Sequence, residues 1–402
     1  MLDGVAQEAA KASTAANKAT LRVFFISEIL VKIHKAHKYT NFLAIFAQNM
    51  RKTILLFITV LLSLSAGAQQ RVRFALDTQY LFDNHEFEAS GGQIIPSETL
   101  HFIKISPYLS WNISESADWT HKIYAGVDLI KDAGSTVPVK TTLREVPLFC
   151  TSTYEDQGVL FSSTFGIYPR RLVEGWYSEL ILSEETRQSD FNLEGTLLKF
   201  REGNFFAELG LDWMGKYGYD TKERFQIFAA GSWRLGELLT LGWCGSFYHY
   251  AGSTLAPGVV DNHIIQPYAL FDFSSILPTI RIQLRASAFY SYQKDRVRED
   301  MRHLRGYEME LQAKWKSLYF LGSASLSDNM LPFYDKCDTS GTPYGDLLYR
   351  GSKFYCGFYD RLEFGWAPRL SSRTSLKLSS RVHYNLNGYL GTEQRFSLLF
   401  LL

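Results

Sequence analysis

Along most of the chain, apolar and polar residues alternate with a period of two. In RVRFALDTQYLF, which starts at Arg71, the residues Val72, Phe74, Leu76, Tyr80 and Phe82 fall on one side, with Arg73, Asp77 and Gln79 on the other. Successive side chains of an extended chain point to opposite faces, so this is a strand with one apolar and one polar face. The pattern returns in FIKISPYLSWNI, HKIYAGVDLI, NFFAELGLDW, RFQIFAAGSW, IRIQLRASAFYSY and GYEMELQAKW. It returns again in SLKLSSRVHYNLN, where Leu376, Leu378, Val382, Tyr384 and Leu386 oppose Lys377, Ser379, Arg381 and His383. The runs are roughly 9 to 13 residues long, which suits tilted strands crossing a bilayer better than globular strands of about 5 or 6. A membrane barrel turns the apolar face to lipid and the polar face to a lumen.

The connections carry a second rhythm. Long gaps fall at His85 to Ser97, Pro169 to Ser189, Met214 to Lys222, Gly252 to Asn262, Lys294 to His303 and Asp328 to Ser352. Between them lie tight ones at Ser114 to Asp118, Glu202 and Gly203, Gly236, Ser274 to Pro278, and Ser317. Outer loops are long and inner turns short in bacterial barrels. The reading is an all-β fold: an antiparallel transmembrane β-barrel of about 16 strands, within a range of roughly 14 to 18.

Export is written near the start. In MRKTILLFITVLLSLSAGAQQ, Arg51 and Lys52 precede an apolar run from Ile54 to Leu64, and Ala66-Gly67-Ala68 supplies small residues at a cleavage site. This reads as a secretory signal over 50–68, because the run is shorter than the roughly 20 residues a membrane helix needs. Such signals act at a chain's amino terminus, so Met50 is expected to be the true start, with 1–49 a non-native upstream extension and 69–402 the barrel. No cysteine follows the cleavage site to take an acyl anchor, and no apolar run of 18 residues follows Gln70.

Trp111, Trp213, Trp233, Trp243, Trp315 and Trp366 lie at or near strand ends, where amphipathic rings form the girdles of a membrane barrel. The final strand, QRFSLLFLL, puts Phe396, Leu398, Phe400 and Leu402 on one face. With the alternation over the full length, the chain resembles a porin-type outer-membrane β-barrel of Gram-negative bacteria, similar to poorly characterised porin-like families. Such barrels commonly end on an aromatic residue, and this chain ends on Leu402 instead. The resemblance implies location in the cell outer membrane, outer-membrane lipid as surroundings, the barrel-assembly machinery as partner during biogenesis, and passive passage of small polar solutes without a cofactor.

Composition sharpens this. A formal net charge of +1 gives no support to nucleic-acid binding. The polar faces bring both charge signs toward the lumen: Arg73, Asp77, Lys104, Asp128, Glu194, Glu208, Asp212, Arg224, Arg281, Arg285, Glu308, Glu310, Lys314, Arg361, Glu363, Lys377, Arg381 and Arg395. Strong ion selectivity calls for rings of one sign. The mixture reads as a hydrated, cross-linked interior, within which Arg281, Arg285, Arg361 and Arg381 would form a basic ladder against acids. The long connection YPRRLVEGWYSE places Arg170, Arg171 and Glu174 where a loop can fold inward and narrow a pore, and paired arginines suit carboxylates or phosphates.

Other chemistry is sparse. His249, Asp261 and His263 flank one loop and are the candidates for an acid/base pair, although two histidines without fixed spacing specify no metal. GxSxG is absent. Cys150 and Cys244 stand alone within strands, whereas Cys337 and Cys356 flank the longest loop and are expected to form a disulfide in an oxidising compartment. Neither CxxC nor zinc spacing occurs. The leading function is a porin-like channel. The alternatives are a barrel enzyme, lipid hydrolase or protease, and a barrel that binds or assembles surface polysaccharide. Solute identity and oligomeric state stay open.

Overall fold

The computed structural model describes residues 72–88, 97–133 and 143–401, so the stretches read from sequence as a signal, 50–68, and as an upstream extension, 1–49, lie outside the described residues. Sixteen antiparallel strands close on themselves. They are β1 (Val72–Phe87), β2 (Glu98–Glu115), β3 (Trp119–Gly126 with Asp128–Asp132) and β4 (Leu143–Glu145 with Leu148–Asp156). Next come β5 (Val159–Pro169), β6 (Asn192–Glu202), β7 (Phe205–Gly215), β8 (Glu223–Leu235), β9 (Leu239–Ala251) and β10 (Val259–Asp272). The circle ends with β11 (Arg281–Asp295), β12 (Asp300–Trp315), β13 (Leu318–Ser327), β14 (Gly357–Trp366), β15 (Thr374–Asn385) and β16 (Gly388–Leu401). Closure is made by β1 and β16, in register from Asp77↔Leu401 to Phe87↔Gly391, so among the described residues every strand has a neighbour on both sides. β4 is interrupted at Pro147, whose nitrogen cannot donate to a ladder, and the β3–β4 register shifts nearby between Asp128 and Leu129.

The two faces follow the alternation. Trp111, Trp213, Trp233, Trp243, Trp315 and Trp366 all stand exposed on the outer wall, as do Phe74, Ile103, Ile105 and Leu378. The opposite parity carries buried Asp83, Lys104, Ser106, Glu208, Gln266, Glu308, Arg381 and Arg395. Apolar groups outside and polar groups inside invert the pattern of a soluble sandwich and match a wall facing lipid. Sixteen strands are enough to leave room for a channel rather than a side-chain core.

Long and short connections segregate to the two ends. Residues 203–204 and 316–317 turn tightly at one end, whereas 170–191 and 328–356 are the long loops at the other. The expected long gap from Lys294 to His303 shrinks to the turn 296–299, because β11 and β12 pair up to Asp295↔Asp300.

Both long loops enter the barrel. Loop 170–191 begins with the one-turn helix Arg170–Leu172 and ends with α1 (Glu184–Ser189), whose N-cap Ser183 accepts the Thr186 amide at 3.1 Å. Its Tyr177, Leu180, Ile181 and Leu182 are buried in one cluster with Tyr168, Leu193 and Leu197 of β5 and β6, Phe228 of β8 and Phe289 of β11. Loop 328–356, which carries α2 (Gly345–Leu348), buries Leu331, Phe333, Tyr344, Leu348 and Tyr349 against Tyr248, Tyr250 and Val260 of β9 and β10. The loops touch where Gly351 passes Leu180: a Cβ on Gly351 would stand 1.8 Å from the Leu180 carbonyl oxygen, so only glycine fits.

Candidate functional site

Loop 170–191 is held across the lumen by charge as well as by apolar burial. Glu208 on β7 accepts the backbone N–H of Glu174 at 2.9 Å and of Gly175 at 2.8 Å. A Cβ on Gly175 would lie 2.5 Å from that carboxylate, so the glycine permits the close approach. Arg170 is buried, donates to Asp190 at 2.7 Å and reaches Asp212 at 3.3 Å. Arg171 donates from Nε to Asp77 on β1 at 2.7 Å. Glu174 pairs with Lys199, and with Arg201 at 2.9 Å. Ser178 Oγ donates to Gln266 on β10 at 2.5 Å.

At the far end of the loop, the carboxylate of Glu184 on α1 is grasped by Arg381 at 2.8 Å and by Arg395. Burial alone would raise its pKa, yet the Arg395 and Arg381 guanidiniums, with Lys377, hold it well below the usual carboxylate range. Arg381 also binds Glu363 at 2.7 Å and Glu393 at 2.8 Å, and Arg395 donates from Nε to Asp83 at 2.8 Å. Lys377 reaches Glu363 at 3.1 Å, and Arg361 stands 3.7 Å from Glu179 and 3.6 Å from Glu310. Loop 328–356 braces this arrangement: Ser183 N–H donates to the Arg350 carbonyl at 3.1 Å, and Ser352 N–H to the Glu179 carbonyl at 2.7 Å.

Two cavities meet at this cluster. One of about 450 Å³ lies toward the short-turn end, where Lys314, Tyr319, Ala367 and Lys377 line it. The other, about 50 Å³, lies toward the long loops, beside His85, Phe87, Phe354 and His383. Glu179, Glu184, Arg361 and Arg381 line both. The wall between them is a set of ion pairs contributed by one loop and three strands.

The residues singled out in the sequence take these places. Asp77, Lys104, Glu208, Asp212, Arg224, Arg285, Glu308, Glu310, Arg361, Glu363, Lys377 and Arg381 are on the inward parity of their strands. Arg73 and Arg281 share that parity but stand exposed at the short-turn ends of β1 and β11, where Arg281 lies 3.3 Å from Asp272. Lys104 reaches Asp128 at 3.7 Å, and Arg224 donates to the Met214 carbonyl at 3.3 Å. Arg285 donates to Glu310 at 2.5 Å and lies 4.1 Å from the Trp176 ring. The four arginines of the expected basic ladder are therefore each paired with acid.

Two expectations are corrected. Glu194 is exposed on the outward parity with Thr196, because Leu193 and Leu197 turn inward to meet the apolar part of loop 170–191. Cys337 and Cys356 form no disulfide and are free thiols. Cys337 sits in a narrow hairpin bridged to Pro343, with its carbonyl held by Arg298, whereas Cys356 is exposed at the entry to β14. Cys150 is exposed and Cys244 buried, both free.

His249 and Asp261 do meet, at 2.8 Å, but on the outer wall, where Arg296 takes the second carboxylate oxygen at 2.8 Å. His263 stacks instead on Phe247, with ring centres 3.8 Å apart. Sequence reading missed Glu179, Glu184 and Arg350, all on loops whose inward course depends on distant strands. It also missed Asp83 and Glu393, which strand phase alone could have found.

No family model matches the sequence, and no curated protein matches it. Among solved structures, the chain is similar to OpdL of Pseudomonas aeruginosa, with 11% identity over 82% of this chain and 98% of that one, at a TM-score of 0.48. It is similar also to OccK8 (OprE) of Pseudomonas aeruginosa, with 9% identity over 82% and 98% and a TM-score of 0.47. The outer membrane channel DcaP of Acinetobacter baumannii gives 11% identity over 82% and 97% and a TM-score of 0.45. The chain is a closed antiparallel β-barrel of sixteen strands, and nothing about family or solute follows from likeness at this level.

Proposed function

We propose that the protein is an outer-membrane channel for passive passage of small polar solutes, narrowed by loop 170–191. The observation that carries this reading is the wall between the two cavities. A lumen meant only to be filled would be closed by apolar side chains, but here the separation is made by Glu184, Glu179, Arg361, Arg381 and Arg395, which line one or both cavities. Ion pairs that border a cavity offer partners of both signs to an entering ion or polar solute, so a path closed by them can conduct. The lipid-facing outer wall supports the outer-membrane setting, since a closed barrel is one of the two structures that can span a bilayer. Both signs of charge line the 450 Å³ cavity, Arg285, Arg361, Lys377 and Arg381 against Glu308, Glu310 and Glu363, which favours weak ion selectivity.

Bilayer recording on the purified protein tests this. The wild-type barrel should give discrete conductance steps, and Glu184→Gln should enlarge them, because the amide loses its charge attraction to Arg381 and Arg395. Silence from the wild type, from Glu184→Gln and from a barrel lacking 176–189 would overturn the channel reading.

A further inference from the structure

A barrel wall facing lipid is apolar across its middle and aromatic at its two edges. On the long-loop edge of β9 to β12 the outer wall carries cations and histidines instead. The outward positions His249, Asp261 and Lys294 lie in one cross-strand row, and Phe247, His263, Tyr292 and His303 in the next. A third row brings Ile265, Tyr290 and Arg305 together. The rings form a continuous strip: ring centres lie 3.8 Å apart for Phe247 and His263, 5.8 Å for His263 and Tyr292, and 5.4 Å for Tyr292 and His303.

The cations are available. Arg296, His303 and Arg305 are exposed, and Lys294 and Arg305 make no ion pair among the described residues. The acids beside them are already engaged. Asp261 is held by His249 and Arg296, and Asp328 accepts the Arg305 backbone N–H at 2.9 Å. The opposite flank of the barrel differs: on the outer wall of β1, β2 and β16, Asn84 donates to Glu86 and to Gln394, each at 2.9 Å, and accepts from Thr99. That flank presents amide and carboxylate groups bound to one another, whereas the β9 to β12 edge presents cations beside a strip of rings.

We propose that this sector docks a phosphorylated glycolipid of the outer leaflet, with its phosphates against Lys294, Arg296 and Arg305 and its sugars on the ring strip. The inference rests on the outer-membrane setting and does not need the channel. Cations at a membrane surface are each worth about 1 kcal/mol toward anionic lipid, and aromatic rings favour the headgroup level. Spacing selects the lipid. Lys294 pairs with Met301 and Arg305 with Tyr290, so the two cations stand four residues apart along neighbouring strands, about 13 Å at about 3.3 Å per residue. A disaccharide with a phosphate at each end meets both cations at once with its sugars over the ring row that lies between them.

The test uses the full barrel, refolded from denaturant so that it carries no native lipid. It is titrated with a bisphosphorylated disaccharide lipid, with the same lipid after phosphatase treatment, and with phosphatidylglycerol. The bisphosphorylated lipid should bind at least about tenfold more tightly than either of the others, and Lys294→Gln with Arg305→Gln should abolish that preference. Heat-modifiable gel migration confirms that the double variant still folds. Equal affinity for the dephosphorylated lipid or for phosphatidylglycerol, or an unchanged preference in the folded double variant, overturns the proposal. Membrane fractionation of native cells, run alongside, separates failure of the outer-membrane setting from failure of the site.

Discussion

The two halves of the inner wall solve the problem of burying polar groups in different ways. From β8 to β11 the buried inward polar residues are neutral, Gln226, Ser246, Asn262, Gln266, Ser287, Ser291 and Gln293, except for Asp295 at the long-loop tip of β11, which pairs with Arg298. They are satisfied by each other and by the loops, as where Gln293 donates to the Met330 carbonyl at 2.9 Å and accepts from the Tyr349 hydroxyl at 2.8 Å. From β14 through β16 to β1 charged residues dominate the buried inward polar groups, Arg361, Glu363, Arg381, Glu393, Arg395 and Asp83, with His85 and His383 among them. The neutral half is sealed by the apolar side of loop 328–356, and an unpaired charge under such a cover would cost several kcal/mol. The charged half borders both cavities, and there the ions keep partners of opposite sign. Amides accompany filled space in this lumen, and ion pairs accompany space left for water and solute.

Substitutions can break that contrast. Arg381→Ala leaves Glu363, Glu393 and Glu184 without their shared cation and should destabilise the barrel by about 3 to 5 kcal/mol in urea unfolding, while altering reversal potential in a salt gradient. Phe333→Ala, on the filled side, should cost a similar amount, about 3 to 5 kcal/mol, through the cavity it leaves. It should leave reversal potential unchanged; a shift there would show that the filled half also belongs to the path. Gln266→Ala removes the partner of Ser178 and Ser287 and should cost less, about 1 to 3 kcal/mol. Equal losses for Gln266→Ala and Arg381→Ala would erase the distinction between the halves.

The smallest effect is local and depends on pH. Burial would raise the Asp338 pKa, but Lys222 and hydrogen bonds from Ser340 and Thr342 bring it down to about 2. A depressed folded pKa contributes stability that is fully present above the unfolded value near 4 and is lost as pH falls through the folded one. Hydrogen exchange at the Ser340 and Thr342 amides should therefore be constant down to about pH 4, then quicken toward pH 2 relative to the intrinsic rate. Flat protection over that window would show that the Asp338 carboxylate does not hold the hairpin.

Strand phase was legible in residues such as Leu376, Leu378, Lys377 and Arg381, because a period of two assigns every side chain once the apolar face is known. Barrel closure and, apart from the gap from Lys294 to His303, the division into long and short connections were legible too: no soluble core could cover so many apolar faces, and turn residues mark their ends. Glu194 shows where this fails. Its strand carries Leu193 and Leu197 inward to meet the apolar segment Leu180–Leu182 of the loop that leads into it, and that meeting depends on the loop folding into the lumen, which period-two alternation does not contain. The free thiols of Cys337 and Cys356 teach the same point, since loop length shows that two residues could meet and only three-dimensional placement shows whether they do. By itself the sequence determined an antiparallel barrel with lipid-facing and inward faces, because alternation acts residue by residue. The tertiary structure alone decided that two loops fold inside, that Glu184 lies between Arg381 and Arg395, and that one half of the lumen is filled while the other keeps its cavities. Those outcomes depend on contacts between segments far apart in the chain, which periodicity does not encode.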